Sequence, residues 1–530
     1  NVHRWIETPL PAVLKPVPLW TGKQLVSCIL RHTTAGMPPI NHEGNGKVAP
    51  TLWGRGGYHS TAPAKSVGDA RAPAWFVPDI INAWSGANEN VCVVRQSELL
   101  AGVLDKAQFG ASAYGLVHSC YELYGSGVAG TLLSVLGRLL VVYMQQYHGF
   151  TCGMDDLLLK PDAEATRRLL LHAANNRSRD VTVEVASQGV LLQDTESAAN
   201  GGGARSDLVR EGLTAIRRDP AKASALDSSV KRAVNQLASR VIDECLPGGT
   251  IKPFPHNCMG LMTGTGARGS NVNASQISCL LGQQELEGRR VPLMMTGRTL
   301  PSFPRFDTSA RAGGFVMDRF LTGVRPQEFF FHCMAGREGL IDTAVKTARS
   351  GYLQHSLMKC MESLTVGYDY TVRDSADGSV VQFTYGEDAL DVCKTAYLGR
   401  FQFWLSNFDA FAERYHLRDS VAKYTAADGA RSGARDIKEC ARHIAECIAH
   451  PADHDPYSSQ YLPTERLGLF SERYYTDLAA FVRDHSATKA DPLHDKRQQR
   501  RFQSLMSLKY SRSLVNPGEP VGVLASQSIG

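Results

Sequence analysis

The 530-residue chain carries 57 Lys and Arg against 52 Asp and Glu, a formal charge of +5, with 43% hydrophobic and 21% charged residues. This is the composition of an ordinary soluble globular protein, long enough for three or four domains or subdomains. The mild charge permits a nucleic-acid partner without demanding one. Twelve cysteines stand singly, with no C-x-x-C pair, which argues against a disulfide framework and for free thiols in a reducing compartment.

The chain opens on Asn1, with charges and early prolines where a signal peptide would have an apolar core, and VGVLASQSIG ends it without a terminating signal. Both ends are therefore expected to be cut from a longer chain. Prolines hold PLPAVLKPVPLW extended, and Thr21 is placed to cap a helix from Gly22. Residues 44–75, rich in Gly, Ala, Pro and Ser, read as a loop insertion. Val91–Val94 reads as a short strand, after which helical patterning runs to about Tyr147. Within it, the apolar run Gly127–Met144 contains Arg138. A membrane span needs about 20 apolar residues without a charge, so a buried helix is expected.

Residues 155–245 read as a helical hairpin. The adjacent Asp155 and Asp156 could hold a metal ion, but capping the first arm is the simpler reading. Gly201–Gly203 mark a loop, and the second arm sets Val230, Val234, Leu237 and Val241 at helical spacing. Next, Gly264, Gly266 and Gly269 spell a literal G-x-G-x-x-G. A dinucleotide site would need a preceding strand and a βαβ unit. HNCMGLM is a poor strand and no second strand follows at the right distance, so a glycine-rich turn exposing Arg268 is expected. No Lys-Ser/Thr follows, which excludes a phosphate loop of the ATPase kind.

The stretch 326–363 reads as a single long helix. Pro326 suits the first helical position, and Glu328 meets the positive end of the helix dipole. Gly336, Gly339 and Gly351 interrupt it, each at a cost of about 1 kcal/mol relative to alanine. Either a long core helix tolerates them, or the helix must bend or be approached closely. Beyond it, YDYTVRD and SVVQFTY alternate around Asp377-Gly378 as a hairpin. Residues 400–490 are helical and charged, with a loop at AADGARSGAR. Cys440, His443, Cys447 and His450 are zinc-ligand types. On one straight helix, though, the outer two lie about 15 Å apart, so a helix face is expected instead. The cluster Lys496, Arg497, Arg500, Arg501, Lys509 and Arg512 reads as a solvated helix face, with phosphate contact as the second reading. No G-x-S-x-G elbow or H-E-x-x-H motif is present, so the residues alone outline no self-contained active site.

The stretch RPQEFFFHCMAGREGLIDTAVKTARSGYLQ closely resembles the bridge helix of the largest subunit of multisubunit DNA-directed RNA polymerases. Collinear flanks agree. AVLKPVPLWTGKQ and LLAGVLDKAQFGASAYGLVH resemble the pore module. GARGSNVNASQISCLLGQQELEGRR resembles the end of the funnel, and FTYGEDALD follows the helix as in the family. PGEPVGVLASQSIG resembles the segment leading into the trigger loop. YGLVHSCYELYG, SNVNASQISCLLGQQELEGRR and TVRDSADGSVVQF look most like RNA polymerase I, the ribosomal-RNA enzyme of eukaryotes.

The resemblance implies a mixed α+β, multidomain chain. Its parts would be a pore-like module at 1–154 with the insertion at about 44–75, and a funnel-like helical hairpin at 155–290. A cleft region at 291–390 with bridge helix 326–363 would follow, then a cleft or jaw-side region at 391–530 leading to the trigger loop. It implies that Lys346, Thr347, Ala348, Gly351 and Tyr352 lie by the template base and incoming nucleotide, where small residues let a base pair stack close. Arg268 would stand where a funnel lysine usually lines the path by which nucleotides enter. Gln276, Gln283 and Gln284 would face the bridge helix. His355 and Ser356 follow GYLQ where relatives often carry arginine, which puts a fixed phosphate contact there in doubt.

No catalytic residue is expected in this stretch. The aspartate loop holding the catalytic magnesium is expected before residue 1, the trigger loop after Gly530, and the zinc of the clamp also elsewhere in the subunit. Implied partners are template DNA, nascent RNA, ribonucleoside triphosphates, the second-largest subunit and other polymerase subunits, in the nucleus and nucleolus, with no membrane. The alternatives are a non-catalytic nucleic-acid-binding or assembly protein reusing this architecture, or the polymerase II or III counterpart.

Overall fold

A computed structural model describes residues 8–49, 52, 89–191, 210–216, 218–420, 442, 445–446, 449–450, 470–486 and 492–530. Most of the expected insertion at 44–75, the loops at Gly201–Gly203 and AADGARSGAR, and Cys440, His443 and Cys447 lie outside these residues.

In chain order the elements begin with α1 (Gly22–Thr33), β1 (His42–Asn45), β2 (Val91–Arg95), β3 (Glu98–Ala101), α2 (Leu116–Tyr124) and α3 (Ser126–Gln146). Then come α4 (Pro161–Leu191), α5 (Pro220–Cys245), α6 (Cys258–Thr265), α7 (Asn271–Ser278), β4 (Gly282–Gln283), β5 (Phe315–Val316) and the long α8 (Pro326–Met361). The rest are β6 (Leu364–Val366), β7 (Val372–Asp374), β8 (Val380–Gln382), α9 (Phe401–Ser406), α10 (Phe408–Arg414), α11 (Glu472–Ser486), α12 (Lys496–Ser513) and α13 (Val521–Ile529). The result is helix-rich with three small antiparallel sheets among the described residues.

Two compact units form. The first takes Asn1–Gly46, Val91–Tyr143 and Thr347–Gly530. Thr21 caps α1 in a capping box with Gln24, as its position predicts. β1-β2-β3 make one sheet and β6-β7-β8 another. The β7–β8 turn carries Gly378 at φ +74°, the left-handed conformation that glycine adopts without penalty. The core gathers Leu30, Val94, Leu116, Trp404, Phe411 and Leu505, with Trp404 stacked on Phe411 at 3.7 Å between ring centroids.

Helix α12 runs through this core. It buries Phe502, Leu505, Met506, Leu508 and even Lys509, which lies 3.7 Å from the Glu122 carboxylate. The expected solvated face therefore holds for Lys496, Arg497, Arg500 and Arg512, but not for Lys509. A second correction concerns α3. It is not a buried helix: only Ala129, Leu132 and Leu136 are buried along it, while Leu133, Leu140, Val141 and Tyr143 are exposed. By length and composition alone it could cross a membrane. Hydropathy records that a side chain is apolar, not whether a neighbour covers it.

The second unit takes Lys47–Asn90 and Met144–Lys346. Helices α4 and α5 pack along one another, with Val230, Val234 and Val241 buried in a core with Leu171, Ala174, Leu280 and Phe315. This is the expected hairpin. The acidic pair does not cap its first arm, which begins at Pro161. Instead Asp156 sits buried in a 3-10 turn, accepting from the Gly153 and Cys258 N–H groups, and Asp155 pairs with Lys252. Gly266 ends α6 in the left-handed conformation at φ +75°, and the turn that follows exposes Arg268. HNCMGLM is therefore not a strand: its last residues begin a helix. The contact division falls within α8, after Lys346.

Candidate functional site

Helix α8 has 36 residues, roughly 54 Å at 1.5 Å per residue. Its weak amphipathicity and three glycines would leave such a helix marginal on propensity alone. The structure instead fastens its first turns. Glu328, fully buried, pairs with Arg311 at 3.2 Å and with Arg325 at 3.0 Å. It also shares a hydrogen bond with Asp318, and Arg325 reaches Asp318 at 2.9 Å. Burial first, then the hydrogen bond with Asp318, pushes the Glu328 carboxyl up to about 7. Burial opposes ionisation of Asp318 too, but hydrogen bonds from Glu328 and Arg325 outweigh it and hold that carboxyl below its usual range.

One turn on, Phe331 is fully buried and stacks on Phe303. The His332 ring nitrogen Nδ1 lies 3.2 Å from Gln284 Oε1. The Glu338 carboxylate accepts from the Glu287 N–H at 2.6 Å. Beside these turns opens a cavity of about 830 Å³, lined among others by Leu226, Arg290, Phe306, Met334 and Arg337.

Past Glu338 the support ends. Every residue from Gly339 to Leu353 is exposed, a span of roughly 22 Å of helix. Tyr352 is 77% exposed and Leu340 71%. A Cβ built on Gly336, Gly339 or Gly351 would meet nothing within 4 Å. The glycines therefore answer to no close neighbour among the described residues. Support returns at Gln354, whose carbonyl accepts from the Ser526 hydroxyl at 3.3 Å, and at Met361, whose carbonyl lies against Gly522 of α13.

The residues singled out in the sequence distribute as follows. Lys346, Thr347, Ala348, Gly351 and Tyr352 all lie within the exposed span, Lys346 paired with Asp342 at 2.5 Å. His355 is exposed, and Ser356 turns its hydroxyl onto the Tyr352 carbonyl. Gln284 does meet the helix, through His332. The Gln283 amide instead donates to the Gln284 and Gly313 carbonyls at 2.9 Å. Gln276 is half-buried on α7, its carbonyl accepting from the Phe320 N–H. Sequence reasoning missed the Glu328–Arg311–Arg325–Asp318 cluster. Its one visible signal was a carboxylate at the first turn.

The exposed span carries Leu340, Ile341, Lys346, Arg349 and Tyr352 at its surface. Its ion pair, Lys346 with Asp342, lies along the helix itself. Among the described residues no three or more His, Cys, Asp or Glu side chains converge as a metal site.

The sequence matches three family models in succession: RNA polymerase Rpb1, domain 3 over residues 1–157, domain 4 over 215–316 and domain 5 over 323–530. The chain belongs to the RNA polymerase Rpb1 family. Among Rpb1-family relatives it is 45% identical to the DNA-directed RNA polymerase I subunit rpa1 of Dictyostelium discoideum, over 100% of this chain and 30% of the relative. It is 41% identical to the DNA-directed RNA polymerase I subunit RPA190 of Saccharomyces cerevisiae, over 99% of this chain and 29% of the relative. Identity to the DNA-directed RNA polymerase III subunit rpc1 of Dictyostelium discoideum is 31%, over 74% of this chain and 23% of the relative. The chain thus spans under a third of these relatives. All of α8 falls within the domain 5 match, and the α5 arm of the hairpin within domain 4.

Proposed function

We propose that this chain is the central part of the largest subunit of RNA polymerase I, acting in DNA-directed nucleotidyl transfer to the RNA 3′ end. The observation that carries the reading is the bare span Gly339–Leu353 of α8. The exposure of that span is what a helix lying beside a template base and an incoming nucleotide would need. Higher identity to polymerase I than to polymerase III subunits supports the class.

On this reading residues 1–154 serve as the pore-like module, 155–290 as the funnel with Arg268 on the nucleotide path, 291–390 as the cleft carrying the bridge helix α8, and 391–530 as the jaw side leading to the trigger loop. Lys346, Thr347, Ala348, Gly351 and Tyr352 form the surface beside the nucleotide. Gln276, Gln283 and Gln284 belong to the funnel side, with Gln284 buttressing α8 through His332. Magnesium and zinc are held by other parts of the enzyme. The partners are template DNA, nascent RNA, ribonucleoside triphosphates and the other polymerase subunits, in the nucleolus.

The chain's own residues orient and shape; they do not exchange protons with substrate. The test is Ala348→Pro in the complete subunit, assembled into polymerase and assayed for promoter-independent RNA extension. A proline in a helix interior costs about 3 kcal/mol and removes a backbone hydrogen bond. Extension should fall at least tenfold while assembly persists, because Ala348 and its neighbours are exposed. Unchanged extension would remove α8 from the active centre.

A further inference from the structure

We propose that Glu338 is a positioning residue: through the turn at 286–289 it ties α8 to α5 and fixes where the exposed span of the helix begins. The proposal rests on the placement of α8 beside the active centre. The turn is a tight one. Leu286 and Arg289 exchange N–H to carbonyl bonds at 2.9 Å in both directions. Between them, Glu287 and Gly288 stand at φ +51° and +76°. Positive φ at both central positions is the mark of a type I′ turn, in which Asn, Asp or Gly is favoured at the first of them. Glu287 takes a Cβ into that left-handed conformation at a cost of roughly 1–2 kcal/mol. The turn's two bonds use only 286 and 289, which leaves the Glu287 N–H to an outside acceptor. It donates to the Glu338 carboxylate at 2.6 Å, and a charged acceptor makes such a bond stronger than one between neutral groups.

The turn is itself held to α5 from both sides. Glu285, just before it, pairs with Lys231 at 2.7 Å, and Lys231 Nζ also reaches the Gly288 carbonyl at 3.3 Å. Arg290, just after it, pairs with Asp227 at 2.8 Å. Asp227 and Lys231 stand at i and i+4 on α5, so both partners lie on one face of that helix. The helix α5 is seated in its core by Leu226, Val230 and Val234. The contacts therefore run without a break from a packed helix, through the turn, to one carboxylate of α8.

The place of that carboxylate on α8 gives the tie its consequence. Glu338 is half-buried, and the exposed span opens at the next residue, Gly339. Without the bond, the last side-chain hydrogen bond holding this part of α8 from outside would fall back to His332 with Gln284. That would free roughly 9 Å more of helix. A longer unsupported stretch spreads the positions open to the residues that follow. A misplacement on the order of 1 Å at a reacting centre costs up to about a hundredfold in rate. Glu338 would act through the helix, not on the nucleotide.

The experiment uses the complete polymerase carrying Glu338→Ala, Glu338→Gln or Lys231→Ala. Glutamine keeps an oxygen that can accept the Glu287 N–H; alanine keeps none. Amide exchange on the enzyme without substrates reads the tie alone. In Glu338→Ala, residues 333–342 should exchange several-fold faster while 326–331 hold, and Glu338→Gln should stay close to the parent enzyme. Lys231→Ala, which loosens the turn from α5, should quicken the same amides, and adding it to Glu338→Ala should change little more. In RNA extension, Glu338→Ala should lower the maximal rate roughly tenfold, with the half-saturating nucleotide concentration shifted less than about twofold, and Glu338→Gln should restore most of the rate. Unchanged exchange in Glu338→Ala, or quickened exchange with extension unaltered, overturns the proposal. If Ala348→Pro stops extension in parallel preparations while Glu338→Ala leaves it intact, the tie fails and the placement of α8 stands. If neither slows extension, both fall.

Discussion

Glu328 shows how one side chain can decide the behaviour of a 36-residue helix. It lies between Arg311 and Arg325 and shares a hydrogen bond with Asp318. Removing it leaves two cations facing each other without their common acceptor. Glu328→Ala should destabilise this end of α8 by about 3 kcal/mol, the low end for a broken buried pair, because the Arg325 side chain is 43% exposed. The pH response has a definite sign. Folding raises the Glu328 carboxyl from 4.5 to about 7, so the folded state binds its proton more tightly than the unfolded chain does. That contribution is complete below pH 4.5 and is lost as pH rises through about 7. Asp318 shifts the other way, so its contribution is lost only in stronger acid. Amide exchange of residues 326–338 in the assembled polymerase, corrected for intrinsic rates, should therefore quicken between about pH 5 and pH 7. Glu328→Gln, which cannot ionise, should flatten that dependence; an unchanged profile would assign it to another group.

At the scale of elements, the exposed span of α8 separates two roles that glycine usually confounds. A Cβ at Gly339 meets nothing within 4 Å, and alanine is favoured over glycine in a helix by up to about 1 kcal/mol. Gly339→Ala should therefore leave assembly and thermal stability unchanged or slightly higher. If the glycine serves bending or close approach of nucleic acid, the same variant should slow RNA extension several-fold. Equal rates would leave Gly339 with no role beyond tolerance. The elements themselves were largely legible in the sequence because their causes are local. Thr21 caps α1, Gly378 turns β7 into β8, and the valine spacing buries one face of α5. What could not be read depended on distant neighbours. Arg311 and Asp318 come to Glu328 from outside the helix. Lys509 is buried because α12 threads a core, and α3 is exposed because nothing among the described residues covers it. The exposure of residues 339–353 was likewise invisible to periodicity, because it is a property of the fold.

At the scale of the whole chain, apolar surface outruns what the two cores cover. Leu133, Leu140 and Tyr147 stand exposed at or just beyond α3, as do Phe329, Phe330 and Ile341 on α8. Patches of this kind mark surfaces that meet other proteins, or aggregate when they do not. Expressed alone, residues 1–530 should self-associate, eluting from a sizing column as a broad high-mass species. A sharp monomer peak with a single cooperative melt would contradict this. The bare helix carries a last consequence for how this chain tolerates change. Between Gly339 and Leu353 every residue is exposed, so a substitution there that keeps a helix-forming residue costs the folded state little. Folding is nearly blind to that stretch. In a saturation scan, abundance and activity should therefore rank variants together almost everywhere else and part company there, so that loss of fitness in those fifteen positions reports what the helix touches rather than whether the protein stands.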